Sequence, residues 1–533
     1  MTSDTSSTSD GYTSSKNKTL LQIPKKQRVM ILQGGGALGA YELGVFKAIY
    51  EKIAKEEGQE EVRVNLFDIV AGASIGAINA ALLVNYFLNN NKSWKDSSDQ
   101  PEVFWKELTA HTWAEAFLNN TFLDFWWDLM RSASYDYIAS AESVRRYWSW
   151  RELAYVPFWG SPNLSWTIPI YGNKFLNSLN LLSLRYDFSP LKSILKKYIN
   201  FPIRTSFDAG EPRLLLVSVD VQDCTTAVTF DSYEKLKLPT IENREITKDD
   251  KVNSNQKYYS EYGDEKNKHI VFHKGIGLDE VLASCLFPFA LKHTTMKDEV
   301  SKTTRTYWDG AFLSNTPLRE VIQHHKDFWL AFFEENNIEY DELGIEKDED
   351  TPSSKYQTRN RKRVPSLEVY IANLYPSIEK GRFPPNDPDL IEDRMNDVRF
   401  HDRTSYDEKV AHMTSDYIDL ARELIRRINT AKDKISKDKK IKEIAGLSDE
   451  LANILDLEEV LKIPCSTFSR DDKRRIYRNL LRGRFDIRVC RIDREDDEHT
   501  ISGKHSDFSY TTIRELIDKG KEDAINSFKR CVK

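Results

Sequence analysis

Ser74 lies in Gly72-Ala73-Ser74-Ile75-Gly76, a G-x-S-x-G pattern. Small residues on both sides of the serine permit a sharp strand-to-helix turn that exposes its hydroxyl, as an acyl-transfer nucleophile requires. A helix starting there also aims its N-terminal end at developing negative charge. A tetrahedral oxyanion further needs N–H donors. Gly34, Gly35 and Gly36 open the hexapeptide Gly34-Gly35-Gly36-Ala37-Leu38-Gly39. Their amides carry no side-chain obstruction and can turn towards Ser74.

The same hexapeptide fits G-x-G-x-x-G, which cradles a phosphate in dinucleotide-binding folds. Those folds place an acid about 20 residues on, at the end of the second strand, to hold the ribose. Glu60 and Glu61 lie near that distance but precede the second strand, which ends in Ala71-Gly72-Ala73-Ser74. A serine on a tight turn stands where the nucleotide fold needs its acid. The glycines therefore suit an oxyanion better than a nucleotide.

An acid or base must also face the serine. Asp309, in Trp308-Asp309-Gly310-Ala311, ends a short apolar-aromatic stretch. A triad in the order Ser, acid, His would add His324 or His325. Both fall in VIQHHKDFW, a helical pattern rather than a catalytic loop. His273 and His293 come before the acid and have no motif around them.

These side chains need elements to hold them. Val29 to Leu32 is a short continuous apolar run ending in glycines, which suits a buried parallel strand. From Leu38 the apolar residues recur at helical spacing. Leu66 to Val70 then reads as a strand and Ala77 to Leu88 as a buried helix. Two strand–turn–helix units in succession predict a parallel α/β sheet. Further strands are predicted at Leu214 to Val221, Thr306 to Ala311, Leu367 to Leu374 and Phe485 to Ile492, the last either extending the main sheet or forming a small subdomain. Residues 241–268 read as an exposed polar loop. Ser405 to Asn429 reads as an amphipathic helix with Val410, Met413, Tyr417, Leu420, Leu424 and Ile428 on one face.

Residues 94–186 differ in composition. Nine of the eleven tryptophans fall between Trp94 and Trp166. An aromatic-rich helical insertion packed on its own core and a lid or interfacial surface are both consistent with this, because Trp and Tyr suit a boundary between apolar and wet surroundings.

The chain has 533 residues, 40% hydrophobic and 30% charged, so it can bury a substantial core. Its net charge of −6 gives no support to nucleic-acid binding, which favours a basic surface. The five cysteines are widely spaced and form no C-x-x-C, so neither a zinc site nor a disulfide framework is expected, and no metal or other cofactor is assigned. No run of about 18 apolar residues occurs, so any contact with lipid is expected to be peripheral. A cytoplasmic location, with or without a peripheral membrane surface as a partner, follows as the expectation.

Jointly the motifs resemble the patatin-like phospholipase family: GGGALG at 34–39, GASIG at 72–76 and DGA at 309–311, in the family's order. Ala283 to Pro288, DFSPL at 187–191 and HSDFSYTTIRELIDKGKEDA at 505–524 resemble further segments, the last from long bacterial-type members. The resemblance implies a three-layer α/β/α sandwich with a mainly parallel sheet. It also implies a Ser–Asp dyad without histidine, with Ser74 as nucleophile and Asp309 as general base. Gly34, Gly35 and Gly36 match the oxyanion loop. Ala37, Leu38, Gly39, Gly72, Gly76, Gly310 and Ala311 are the supporting motif positions. Many members carry a basic residue where this chain has Leu38, which makes a neutral lipid or simple ester as reasonable a substrate as a phospholipid.

The domain organisation expected is a disordered polar tail at 1–27 and a catalytic domain at 28–325, with 94–186 as its aromatic-rich insertion and a candidate lid. A charged linker at 326–365 and a C-terminal α/β extension at 366–533 follow. Beside a lipid acyl hydrolase, a non-catalytic lipid-binding scaffold fits the aromatic insertion. The sequence leaves the oligomeric state open.

Overall fold

A computed structural model describes residues 23–56, 66–118, 141–155, 164–171, 182–222, 227–233, 268–271, 275–288, 290–297, 304–336, 363–376, 388–437, 484–494 and 501–531. The polar stretch 241–268 lies outside the described residues but for Lys268, and so does most of the expected polar tail.

The strands are β1 (Lys26–Leu32), β2 (Ile69–Ala73), β3 (Trp166–Tyr171), β4 (Leu182–Asp187), β5 (Arg213–Asp220), β6 (Ala227–Asp231), β7 (Lys268–Val271), β8 (Thr294–Lys297), β9 (Thr304–Asp309), β10 (Ser366–Asn373) and β11 (Ile487–Asp493). The helices are α1 (Ala40–Glu56), α2 (Ile75–Asn89), α3 (Asp99–Leu108), α4 (Trp113–Leu118), α5 (Ala141–Tyr155), α6 (Ser189–Tyr198), α7 (Leu278–Cys285), α8 (Leu318–Glu335), α9 (Pro388–Phe400), α10 (Ser405–Lys437) and α11 (Tyr510–Cys531). The main sheet runs β11-β10-β1-β2-β5-β6-β7, with β9 also on β5 and β8 on β9. From β11 to β5 every neighbour is parallel, whereas β6 and β9 are antiparallel to β5. This is the mainly parallel α/β sandwich expected.

Alternation along the buried strands separates two cores. Met30, Leu32, Val70, Leu214 and Leu216 join the core shared with α1, α2 and α11. Val29, Ile31, Ile69, Ala71 and Leu215 join the one under α8. Both faces of the central strands are covered, which is why their sequences read as continuous apolar runs.

The C-terminal segment is part of the sheet. β10 pairs with β1 from Lys26↔Ser366 to Leu32↔Ala372, and β11 pairs with β10. The late strand therefore extends the main sheet rather than forming a subdomain. α11 lies directly on α1. A Cβ on Gly44 would fall 1.9 Å from the Ile517 carbonyl oxygen, and one on Gly520 would fall 2.0 Å from that of Tyr41.

Four sequence expectations need correction. First, the linker expected from residue 326 begins inside α8, because Phe328, Trp329, Phe332 and Phe333 at helical spacing bury against β1 and β10. Second, the insertion has no separate core at its start. Trp94 and Trp105 are fully buried in the main one, and Trp94 packs against Phe46, Phe67 and Phe87. The insertion also closes with the antiparallel pair β3–β4. Third, Val410, Met413, Tyr417, Leu420 and Leu424 lie on the exposed face of α10, while Ile418, Arg422 and Ile425 are buried. Fourth, Cys490 on β11 is disulfide-bonded, which the fold decides and the cysteine spacing does not show.

Candidate active site

Ser74 follows β2 and precedes α2, with φ 56° and ψ −128°. A non-glycine residue in this region carries backbone strain, which persists only where the surroundings enforce it. The enforcement is visible. The Ser74 N–H donates to the Ser284 carbonyl at 3.0 Å, and the Ser74 carbonyl accepts from Ala77 N–H at 3.0 Å. Gly72 lies within β2. Gly76, in the first turn of α2, passes so close to β1 that a Cβ would fall 2.3 Å from the Leu32 carbonyl oxygen.

Asp309 reaches the serine through sheet register. β2 pairs with β5 as far as Ala73↔Val217. β6 occupies the other edge of β5 over the same stretch. β9 then takes up the vacated edge, starting at Ser218↔Asp309. The residues after Ala73 and at Asp309 thus meet at consecutive positions of one strand. The Ser74 hydroxyl donates to Asp309 Oδ2 at 2.6 Å. Asp309 Oδ1 accepts from Ala311 N–H at 2.8 Å. That second bond caps the short 3-10 turn Gly310–Phe312, so Gly310 and Ala311 orient the carboxylate.

Both members of the pair are withdrawn from water, Ser74 being 5% exposed and Asp309 0%. Burial raises the Asp309 carboxyl from 3.8 to about 7, against the smaller opposing effects of its hydrogen bonds from Ser74 and Ala311. A carboxylate of that basicity is matched to a proton transfer near neutrality, where an ordinary aspartate is a poor base.

The glycine loop divides its work. Gly34 N–H donates to the Asn315 carbonyl at 3.4 Å. A Cβ on Gly34 would lie 2.8 Å from the Ser74 Cβ and 2.5 Å from Asn315 Oδ1, so Gly34 provides room for the serine. Gly36 opens the 3-10 turn Gly36–Gly39. The first N–H groups of a helical turn have no partner within it, which leaves the Gly36 amide suited to an anion. Gly36 has φ 57°, and a Cβ there would fall 2.2 Å from the His505 carbonyl oxygen. The loop after β11 therefore presses on the Gly36 turn. Ala37, Leu38 and Gly39 are buried beneath it.

Several residues that brace the site carry no motif. Gln33, fully buried, donates to Thr316 Oγ1 and the Phe400 carbonyl and accepts from Leu374 N–H. It ties the glycine loop to the ends of β10 and α9. Asn315 donates to the same Phe400 carbonyl at 2.8 Å. Asn79 on α2 donates to the Gly39 carbonyl and to Glu42, and it accepts from the Trp105 indole. The one available signal is a polar residue interrupting an apolar run, as Asn79 does within α2.

Leu38 lies beside a small cavity lined by Arg146, Arg494, Lys504 and Asp507. Positive charge near the glycine turn thus comes from other elements. Lys504 is itself held by Asp393 at 2.9 Å and Asp397 at 2.6 Å.

The histidines of the alternative triad lie elsewhere. His324 and His325 are buried in α8. His325 Nε2 is 2.8 Å from the Pro365 carbonyl, and burial lowers its pKa to about 3. Among the described residues, no group of three or more His, Cys, Asp or Glu side chains is placed to hold a metal ion.

A serine on a strand-to-helix elbow, bonded to a buried carboxylate on the strand that succeeds the serine's own along the same edge of β5 in a mainly parallel sheet, defines a class of α/β protein. Within that class, the pattern of the patatin-like phospholipases matches residues 30–322, more than half of the chain, and the chain belongs to this family of lipid acyl hydrolases. Among solved structures, VipD from Legionella pneumophila is similar at 10% identity and a TM-score of 0.24, over 93% of this chain and 67% of that one. No curated protein matches the chain.

Proposed function

We propose that the protein hydrolyses acyl esters of lipids, phospholipids first, through Ser74 and Asp309. The observation that carries this reading is the 2.6 Å hydrogen bond from the Ser74 hydroxyl to a fully buried Asp309 carboxylate. Asp309 removes the hydroxyl proton as Ser74 Oγ attacks the ester carbonyl. The amides of Gly35 and Gly36, with Gly34 holding the space, receive the oxyanion, which supplies much of the rate enhancement. The proton on Asp309 passes to the leaving alcohol. Water, deprotonated by Asp309, then attacks the acyl-enzyme; the acyl–Oγ bond breaks, the fatty acid leaves, and the proton on Asp309 returns to Ser74 Oγ.

Leu38 keeps a second substrate class in view, a neutral-lipid or small ester cleaved by the same residues. Residues 94–186 shape access of the acyl chain. Arg145 on α5 bonds to Ser509 Oγ and Thr512 Oγ1 at the start of α11, which supports a fixed wall at that point.

The test is fatty acid release from phosphatidylcholine vesicles by wild type, Ser74→Ala and Asp309→Asn, with a short-chain nitrophenyl ester as control. Release by wild type alone is the expected result. Cleavage of the nitrophenyl ester without phospholipid release moves the substrate to neutral or small esters. Undiminished turnover by either purified variant overturns the dyad. No labelling of wild type by a fluorophosphonate, together with vesicle binding, favours the scaffold reading.

A further inference from the structure

Three segments around the dyad, two bonded to it or continuing from it and one against the glycine loop, carry large apolar side chains in the open. Leu286, whose carbonyl accepts from Asp309 N–H, leads to the exposed Phe287 and Leu291. Phe312 and Leu313, exposed as well, follow the Asp309 turn. On the third side, the Phe400 carbonyl meets Gln33 and Asn315 next to the glycine loop. The helix that ends there, α9, exposes Met395 at 65% and Val398 at 53%. The Arg399 guanidinium lies 5.8 Å over the Phe312 ring, which brings the second and third segments together. Single exposed apolar residues are ordinary. A cluster around one site marks a place of contact.

Cations stand on the rim as well, with Glu392 an exposed acid one turn before Met395 on α9. Lys292, Arg399 and Arg403 are exposed beside these side chains, in a chain whose net charge is −6. Arg403 is held against the end of α9 by bonds to the Val398 and Arg399 carbonyls. Apolar side chains interleaved with cations match a surface that is anionic outside and apolar just beneath.

We propose that this rim is the face by which the protein docks on an anionic lipid bilayer. Phe312, Leu313, Met395 and Val398 enter the headgroup region, and Lys292, Arg399 and Arg403 meet lipid phosphates. The proposal rests on the reading of the site as a lipid acyl hydrolase. It adds how the substrate is presented. The ester of a phospholipid lies at the boundary between headgroup and acyl chain, the depth reached by side chains of an interfacial surface. A bilayer held against this rim brings that ester to the buried dyad without a phospholipid having to leave the membrane fully. A protein partner covering the rim would instead block it.

The test separates docking from catalysis. Full-length Ser74→Ala is floated with phosphatidylcholine vesicles with and without phosphatidylglycerol. Binding is expected on the anionic vesicles and is expected to weaken with salt. Arg399→Gln with Arg403→Gln is expected to weaken it roughly 25-fold, about fivefold for each cation lost. Met395→Ser with Val398→Ser is expected to weaken it by about tenfold or more. Leu420→Ser with Leu424→Ser removes exposed apolar surface elsewhere. This part of α10 lies by the start of β11, where Ser415 bonds to the Phe485 carbonyl, at the end of the sheet opposite the dyad. That control pair is expected to bind as the parent does.

With Ser74 restored, the two rim variants are expected to keep the nitrophenyl ester rate and lose vesicle hydrolysis. Equal binding by parent and rim variants, loss of binding only in the α10 pair, or no binding to anionic vesicles at all would overturn the proposal. An inactive wild type that still floats through the rim would overturn the hydrolase reading and leave docking in place.

Discussion

Asp309→Asn separates the chemical cost of the dyad from its benefit. The amide is nearly isosteric. It can keep the acceptor for Ala311 N–H and turn a donor towards Ser74, so packing is conserved while the charge is removed. In the native protein, burial raises the carboxyl from 3.8 to about 7. A rise of about three units, at 1.36 kcal/mol each, is a cost of about 4 kcal/mol once the group is ionised. The pH window follows from the direction of the shift. Between 3.8 and about 7 the native state holds a proton that the unfolded chain has released. Stability therefore falls as pH rises through that window and is unaffected below it. The asparagine variant does not titrate. Its stability advantage over wild type is expected to widen by about 3 kcal/mol between pH 5 and pH 8, read from urea unfolding at both values. Ester hydrolysis by the variant is expected to fall by about 10²–10⁴, the range for loss of a general base. In wild type, the rising limb of kcat/KM is expected to centre near pH 7. A gap of the same size at both pH values, or a limb centred near pH 4, would show that desolvation does not govern this carboxylate.

Ser74→Gly is expected to melt higher than Ser74→Ala. Both lose the bond to Asp309, but only glycine relieves the φ of 56°, by about 1 kcal/mol or more; equal melting temperatures would refute the strain. Gly36→Ala is expected to abolish ester hydrolysis and to lower stability, since its Cβ would displace the His505 carbonyl. Limited proteolysis should then cut the segment around 501–509 faster, and wild-type cleavage kinetics would count against the contact. Lys504→Met is expected to cost about 3–5 kcal/mol in urea unfolding, because buried Asp393 loses its ion pair and Asp397 keeps only the longer one to Arg394, at 3.8 Å. An unchanged midpoint would refute the buried ion pairs of Lys504 as a source of stability.

The sequence by itself determined the local elements. Val29 to Leu32 and Leu214 to Val221 could be seen as buried strands because both of their faces are covered, which leaves a continuous apolar run. The turn at Ser74 was legible because only small neighbours tolerate it, and the glycine hexapeptide was legible because a Cβ at 34 or 36 has no room. Family motifs then supplied Asp309, which no local rule would have paired with a serine 235 positions away.

Tertiary structure alone decided the rest. The dyad forms because β2 ends on β5 at Val217 and β9 begins at Ser218, a register that no residue pattern encodes. The basicity of Asp309 comes from burial, a property of the assembled core. The brace through Gln33, the pressure of the His505 carbonyl on Gly36 and the bond between Arg145 and Thr512 all join segments far apart in the chain. The same holds for the outer face of α10. Its apolar row was visible as a helix period, but periodicity does not say which face meets the sheet. In the fold, Ile418 and Ile425 take that place, while Leu420 and Leu424 remain outside. Hydrophobic spacing fixes an element's type, whereas the partners on either side fix which face is buried, and those partners come from elsewhere in the chain.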